Sequence, residues 1–426
     1  MQLVAYGAQD VYLTGSPKVT FFQAVYKRHT NFAMETIEQV VNGSAANNAR
    51  LSVTVARNGD LIGEMYLEMV SNVTAYISNN STATAEWLAE RAIADIELTI
   101  GGQRIDKHYQ KWWRLYSELY LDEAKRVQYG KMTSASLASG KVYLPLVFFF
   151  NRNPGLYLPL IALQYHEVRL DITLSAVFAD YLKTTGFKVW GNYVYLDTEE
   201  RRRFAQKGHE YLIEQVQHTG VDTVTANGTK QVRLSYNHPV KELVWCFSSS
   251  GTSSTDNDMW DTTSNIGFTN LATATTAIVS ANCFVSPNLA GAPMVAVADA
   301  GIHSNLWVEE GAIGDADLSV GPLDTFKLIL NGQDRFKEQS GKYFNQVQPY
   351  YHHSGNPYPG IYSYSFALKP EEHQPTGTCN FSRIDNAQVE VVLKQNTTRT
   401  GNMHMFAVNY NVLRIQSGMG GLAFSN

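Results

Sequence analysis

The amino-acid sequence predicts an all-β protein made of two consecutive domains, each a sandwich or barrel of two sheets. The chain of 426 residues is rich in Tyr (24) and Phe (19), and Val, Ile and Thr recur throughout it, a composition that favours strands. Each half contains about eight short β-prone runs, separated by Gly, Asn, Pro and Ser turns. The third observation is an internal repeat, in which five segments of the first half recur in the same order in the second.

The repeat is clearest at two Gly-Gln turns. The run Ile96–Ile100 stops at Gly102-Gln103, and the run Phe326–Leu330 stops at Gly332-Gln333. Four further pairs of segments match in order: Val53–Met69 with Val232–Phe247, Tyr143–Phe150 with Tyr362–Pro370, Glu167–Leu174 with Gln388–Gln395, and Gly191–Leu196 with Val408–Leu413, where Asn192-Tyr193 match Asn409-Tyr410.

Two copies of this length are too few and too large for a solenoid or a propeller. They predict an N-terminal segment, 1–30, followed by two homologous domains, 31–205 and 206–426. The crossover Asp197–Glu210 is polar and charged, as expected of a surface connection. Its Arg201–Arg203 run favours a solvated face over a phosphate site, because neither aromatic residues nor a glycine loop accompany it.

The second copy contains a long insertion at about 249–322 that the first copy lacks. This stretch is rich in Ser, Thr, Ala, Asn and Gly, and no Lys or Arg occurs between Lys241 and Lys327. A long insertion between paired strands lies at one end of a sandwich, on the surface. We expect an exposed, negatively charged set of loops.

Two segments carry helix signals. A Ser-Pro pair at 16–17 predicts an N-cap and the first turn of a helix over residues 17–29, with an apolar face of Val19, Phe22 and Tyr26. Residues 107–126 place aromatic and apolar side chains at helical spacing, which indicates core packing rather than a ligand platform: Trp112, Tyr116, Leu119 and Tyr120.

The sequence predicts no catalytic, cofactor-binding or metal-ligating residue. Neither a nucleophile elbow nor a P-loop is present. His166-Glu167 lacks a second His at the spacing of a zinc helix, and His352-His353 would diverge on an extended chain. Gly418–Ala423 has the shape of a dinucleotide fingerprint, but only three residues follow it, too few for a helix. We therefore expect a protein that is not an enzyme and needs no cofactor.

Charge and hydropathy exclude several classes of partner. The net charge of −5 has the wrong sign for a dedicated nucleic-acid binder. The N-terminus lacks the basic and apolar regions of a signal peptide, and no apolar run approaches the ~20 residues of a membrane span. Cys246, Cys283 and Cys379 are too far apart for a disulfide framework, which indicates a reducing compartment.

Asn-X-Ser/Thr triplets are frequent, but Asn, Ser and Thr are abundant in these loops and chance explains most of the triplets. Asn396 is kept as a candidate glycosylation site.

Several long stretches resemble the major capsid proteins of nucleocytoplasmic large DNA viruses, most of all the chlorovirus type. They include "LVAYGAQDVYLTGSPKVTFFQAVYKRHTNFA", "PLVFFFNRNPGLYLPLIALQYHEV", "YSFALKPEEHQPTGTCNFSRIDNA" and "NYNVLRIQSGMGGLAFSN". The resemblance runs from Gln2 to Asn426 and fails mainly in the loops. It implies a double jelly-roll, that is, two eight-stranded Greek-key sandwiches side by side with a few short helices.

The resemblance also implies a function and partners. Members of the family form homotrimers whose six jelly rolls make a pseudo-hexagonal capsomer, and these capsomers tile an icosahedral shell. The expected partners are further copies of the chain, minor capsid and penton proteins, and a host cell surface reached through outer loops. The expected location is the virion, after synthesis in the host cytoplasm.

Two other classes remain open at the level of the sequence, since fold alone does not fix function. A carbohydrate-active or cupin-like enzyme could be built from two jelly rolls, and bound metal would favour it. A glycan-binding or receptor-binding module on the virion surface would fit the acidic, Ser/Thr-rich loops, and glycan binding by the isolated protein would favour it.

Overall fold

The computed structural model describes residues 7–18, 27–72, 87–134, 140–224, 228–249, 322–355, 357, 360–393 and 401–424. Within them the first half of the chain contributes these strands: β1 (Phe32–Gln39), β2 (Val41–Asn42), β3 (Arg50–Thr54), β4 (Leu61–Val70), β5 (Ile93–Ile100), β6 (Gln103–Tyr109), β7 (Lys141–Pro145), β8 (Leu158–Pro159), β9 (Val168–Leu174) and β10 (Lys188–Leu196). We call this unit the first sandwich.

The second half contributes the second sandwich. Its strands are β11 (His209–Val224), β12 (Thr229–Leu234), β13 (Pro239–Ser249), β14 (Leu323–Leu330), β15 (Gln333–Asp334), β16 (Gln339–Ser340), β17 (Ile361–Ser365), β18 (Cys379–Asn380), β19 (Ala387–Leu393), β20 (Gly401–Gln416) and β21 (Met419–Leu422).

Helices are short and lie mostly in the connections. They are α1 (Asp10–Thr14), α2 (Leu88–Arg91), α3 (Gln110–Leu119), α4 (Glu123–Thr133), α5 (Phe149–Arg152), α6 (Phe178–Tyr181), α7 (Thr198–Gln206) and α8 (Gln348–His352), with 3-10 turns at Pro154–Leu156 and Phe381–Arg383 and a π turn at Tyr343–Val347.

Each sandwich has two antiparallel sheets with the same strand order. The first front sheet is β1-β10-β4-β7, with β8 added on β4, and its back sheet is β2-β3-β9-β5-β6. The second front sheet is β11-β20-β13-β17, with β18 and β21 added, and its back sheet is β12-β19-β14-β15, with β16 added. Without the short strands β2, β8, β16, β18 and β21, each sandwich has eight strands in two sheets of four. The predicted all-β double jelly-roll is confirmed.

The five repeated segments lie on equivalent strands, and the Gly-Gln turns explain the clearest match. Ile100 pairs with Gln103 and Leu330 pairs with Gln333, so two residues close each hairpin. All four turn residues have positive φ: 58° and 83° for Gly101 and Gly102, and 51° and 77° for Asn331 and Gly332. Tight hairpins of this kind require that backbone, which favours Gly and Asn.

One detail of the predicted repeat is wrong by a residue. Tyr193 pairs with Ile62, and Asn409 pairs with Val240, so in register Asn409 is equivalent to Tyr193 and not to Asn192. Both β4 and β13 carry a bulge just after this pair, and a bulge changes which residues face inward. Tyr193 consequently packs inside the first sandwich.

The helix predictions had mixed outcomes. Helix α3 confirms the pattern after residue 107, because Trp112 and Leu119 are buried and Tyr116 and Tyr120 pack against the same core. The helix predicted from Pro17 does not begin there. Ser16 has φ 54° instead of the extended backbone of an N-cap, residues 17–18 and 27–29 are not helical, and residues 19–26 lie outside the described part.

Other predicted features also fall outside the described residues or differ in form. Residues 250–321 of the insertion and Asn396 are not among those described, so both expectations stay predictions. The crossover at 197–210 contains helix α7, whose first N–H, on Thr198, donates to the Asp197 side chain. The polar composition indicated its exposure but not its helical form.

Burial shows how the two sandwiches join. The second sandwich has its own core, in which Trp245 stacks on Phe326 with ring centroids 4.3 Å apart. The first core is larger and extends onto the outer face of the second front sheet, the face turned away from that sheet's own core. The second front sheet is therefore buried on both faces.

Candidate functional site

Across the described ranges, no group of three or more His, Cys, Asp or Glu is placed to hold a metal ion. In the same part of the chain, no helix is long and apolar enough to cross a membrane.

The two adjacent histidines diverge, although His352 ends helix α8 and does not lie on an extended chain. His352 contacts the Leu368 carbonyl oxygen, whereas His353 is fully buried between Glu242 at 3.0 Å and Glu371 at 3.3 Å. Burial alone would lower the pKa of His353, but Glu242 and Glu371 outweigh it and raise the pKa to about 9. His353 is thus an ion-pair partner in the fold.

The remaining sequence candidates have structural roles. The Nδ1 atom of His166 lies 2.8 Å from the Gly420 carbonyl oxygen and 3.2 Å from the Gly420 nitrogen, so it bonds one or the other according to its tautomer. Gly418–Ala423 belongs to the hairpin formed by β20 and β21. Arg201 is paired with Asp60 at 3.0 Å and Arg202 with Glu199 at 3.4 Å. None of these groups is assembled into a phosphate or dinucleotide site.

The apolar part of the junction is aromatic. Helix α3 and the end of β6 lie on the outer face of the second front sheet. The ring centroid of Phe406 is 5.7 Å from that of Trp112, 6.1 Å from that of Tyr109 and 4.5 Å from that of His218. Val244 and Val408 complete the covered surface. Burial of this apolar area fixes the orientation of one sandwich on the other.

A buried ion triad lies beside these rings. The Glu214 carboxylate accepts from Arg152 at 2.9 Å and from Lys241 at 2.7 Å, and Lys241 also donates to the Pro370 carbonyl at 2.6 Å. Burial raises the pKa of Glu214, but Arg152 and Lys241 more than compensate and lower it. Burial lowers the pKa of Lys241 to about 8 although Glu214 opposes this. The triad ties helix α5 to β11 and β13.

Hydrogen bonds extend the junction along β6 and β11. The Val216 N–H donates to Asp106 at 3.0 Å, and the Gln215 side chain donates to the Ile105 carbonyl. Asn411 donates to Gln215 at 3.0 Å and to the Phe424 carbonyl at 3.0 Å. The bonds to Asp106 and Ile105 cross between the sandwiches, so a sliding motion of one sandwich on the other would leave buried polar groups unsatisfied.

Sequence reasoning missed this triad. Its members come from a helix and two strands far apart in the chain, so no local motif contains them. One signal was available: Lys241 and Glu242 interrupt the apolar strand "VKELVWCF", and charges inside such a strand are rarely buried unless they are paired.

These features define a double jelly-roll protein whose sandwiches are locked side by side. Comparison with known proteins gives the particular family. Residues 200–421 match the family described as large eukaryotic DNA virus major capsid protein, and residues 20–197 match major capsid protein N-terminus. The chain belongs to this family of large eukaryotic DNA virus major capsid proteins, and it is a structural protein of the virion shell.

Individual relatives agree. The major capsid protein of Paramecium bursaria Chlorella virus 1 is 43% identical, with 100% of this chain and 99% of the relative covered. That of Phaeocystis pouchetii virus is 39% identical with the same coverage. A subunit from the PBCV-1 virus capsid has a TM-score of 0.73 and 38% identity, with 96% of this chain and 100% of that chain covered.

Proposed function

We propose that three copies of the chain form a homotrimeric capsomer of pseudo-hexagonal outline that tiles an icosahedral shell. In this proposal the chain comprises a segment, 1–30, and two jelly-roll domains, 31–205 and 206–426. The supporting observation is that one chain holds two sandwiches of matching strand order, joined by a core cluster that includes residues of both. Threefold assembly of such a chain places six similar units in a ring.

Light scattering coupled to size exclusion tests the oligomer. The chain has a mass of 47.5 kDa, and a trimer should give about three times that mass at micromolar concentration. A stable monomer under these conditions would contradict the capsomer.

The N-terminal segment is proposed to act at the inner side of the shell, on minor capsid or penton proteins. Its described helix α1 buries no side chain, and Val11, Tyr12 and Leu13 are exposed. A helix with apolar side chains in solvent favours a protein partner. Deletion of residues 1–30 should leave trimers intact and impair shell assembly. Loss of the trimer itself would place the segment elsewhere.

The insertion at about 249–322 is proposed to form a host-facing surface on the virion exterior. Asn396, outside the insertion, is proposed separately as a glycosylation site. Long polar loops are tolerated where they meet solvent, because closure entropy grows slowly with length. An antibody raised against residues 249–270 should bind intact particles. Binding only after the shell is broken would overturn this orientation.

The role is proposed to be purely structural, in a protein made in the host cytoplasm without direct nucleic-acid contact. Cys246 and Cys379, the two cysteines within the described residues, are both free thiols, which suits a reducing compartment. Mass spectrometry of freshly purified particles should find all three cysteines reduced. A disulfide formed in the host would point to a secretory route.

A further inference from the structure

The two front sheets differ in what lies on their outer faces. The outer face of the second front sheet is covered by helix α3 and β6 of the first sandwich, and its buried side chains are Val244, Cys246, Ile361, Phe406 and Val408. The equivalent positions in the first front sheet follow from strand register. The Trp190–Tyr66 pair is equivalent to the Phe406–Val244 pair of the second front sheet. In the same way, the Glu68–Tyr143 pair is equivalent to the Cys246–Ile361 pair.

Apart from its end at Leu61, Val194 and Leu196, where Tyr157 and Phe204 pack, the outer face of the first front sheet lacks such a cover among the described residues. Phe32 and Met34 on its edge strand are each 51% exposed. Further in, the rings of Tyr66 and Tyr143 meet edge to face with centroids 5.9 Å apart. The Trp190 ring nitrogen donates to the Glu68 carboxylate at 2.9 Å. Aromatic and Met side chains on one exposed face are typical of protein interfaces.

The chain also carries a second covering element. Helix α3, which covers the second front sheet, lies in the connection between β6 and β7. The equivalent connection, between β15 and β17, contains the π turn and helix α8. There Tyr350 is 81% exposed and Tyr351 is 71% exposed. Leu368, in the connection that leaves β17, is exposed as well.

We propose that the α8 connection of one copy covers the outer face of the first front sheet of a second copy, repeating between chains the contact that α3 makes within one chain. The inference rests on the proposed trimer and names its interface. One surface of each copy meets a different surface of the next, so the contact is heterologous and closes into a ring when repeated three times.

The chemistry of the two surfaces fits this arrangement. Glu214 is buried inside the chain with Arg152 and Lys241. Its counterpart on the first front sheet is Met34, because the Met34–Val194 pair is equivalent to the Glu214–Tyr410 pair. An interface between separately folded chains thus avoids a buried carboxylate at that point, where desolvation would be costly. Met34 instead offers a flexible apolar surface to Tyr350, Tyr351 and Leu368 of the neighbour.

Photo-crosslinking tests the contact without disturbing the fold. The full chain with benzoylphenylalanine in place of Tyr350 is irradiated as a trimer, and cross-linked peptides are sequenced. The proposal expects links between chains to residues 32–38, 61–70, 141–145 or 188–196. The same probe in place of Tyr12, on exposed helix α1, is the control and should give no such links. Links from position 350 to other regions would overturn the proposal.

Paired substitutions give a second readout. Tyr350→Glu with Tyr351→Glu, and separately Met34→Glu, should each lower the trimer fraction at least tenfold by light scattering, with an unchanged circular dichroism spectrum. Tyr12→Glu should leave the trimer intact. A wild-type chain that is not a trimer refutes the proposed function. A wild-type trimer that survives both sets of substitutions refutes only this interface.

Discussion

The two front sheets share a strand order and a bulge, yet their outer faces are chemically different. Where the second front sheet has Phe406, Val244 and a stacked pair of histidines, the first has Trp190, Tyr66 and the Lys188–Glu38 ion pair at 3.0 Å. The covered face is apolar and its charges are paired inside the chain. The other face carries an ion pair that is 41% and 44% exposed in the single chain. Strand pairing sets the fold, and the outer positions adapt to what each face meets.

The largest expected effect comes from breaking the triad on the covered side. Glu214→Gln leaves Arg152 and Lys241 as neighbouring cations, and Lys241 is only 1% exposed. Removing one partner of a buried pair costs about 3–5 kcal/mol, so the free energy of unfolding should fall by that amount in denaturant titrations. The control is Glu210→Gln at an exposed pair with Arg414, where the loss should be about 0–1 kcal/mol. Equal losses would show that the triad does not hold the junction.

A second test compares equivalent aromatic positions. Phe406→Ala should cost about 3–5 kcal/mol, because the ring is fully buried against Trp112 and Tyr109. Trp190→Ala should cost less than half of this when Tyr350→Glu and Tyr351→Glu have removed the proposed contact between chains. Both variants are measured by denaturant titration in that background. A larger loss at Trp190 would mean that the first front sheet is already covered within its own chain.

A third expected effect depends on pH. His218 and His404 stack with ring centroids 6.2 Å apart, close to Lys111, Cys246 and Tyr109. Burial lowers the pKa of His218 to about 4, and burial with Lys111 and His218 lowers the pKa of His404 to about 3. The unfolded chain, with a His pKa of about 6.5, binds more protons than the folded chain below that pH. Stability should therefore fall as pH drops from about 6.5 towards 3.

The double substitution His218→Phe with His404→Phe should flatten this acid limb of thermal unfolding measured against pH. His353 affects the stability of the fold in a different pH range. Its pKa is raised to about 9, so its contribution is complete below about 6.5 and is lost as pH rises through 9. Glu38→Gln on the open face serves as the matched control and should leave the acid limb unchanged. Parallel curves for the double variant and the wild type would exclude the histidine pair as the cause.

The sequence predicted most of the fold because its signals are local. Turn residues such as Gly102 and Gly332 separate the β-prone runs, and matching runs in two halves indicated a repeated sandwich. Side-chain direction was harder to predict. Asn192 and Asn409 look alike in sequence, but strand pairing makes Asn409 equivalent to Tyr193. The register of a strand depends on its partner strand, which the local sequence does not contain.

The junction could not be predicted for a different reason. Arg152, Glu214 and Lys241 become partners only when two domains pack, and no spacing in the chain encodes that contact. Similarly, Ser16 and Pro17 form an acceptable helix start by composition, but the backbone at Ser16 is left-handed. Tertiary context overrides such weak local preferences.

Cryo-electron microscopy of the purified capsomer, at a resolution that shows side chains, tests the central claim most directly. The account predicts a ring of three chains in which Tyr350 and Tyr351 of each copy lie on the outer face of the neighbour's first front sheet, over Met34 and Trp190. A trimer in which that face is open to solvent, with α8 also exposed, would contradict it.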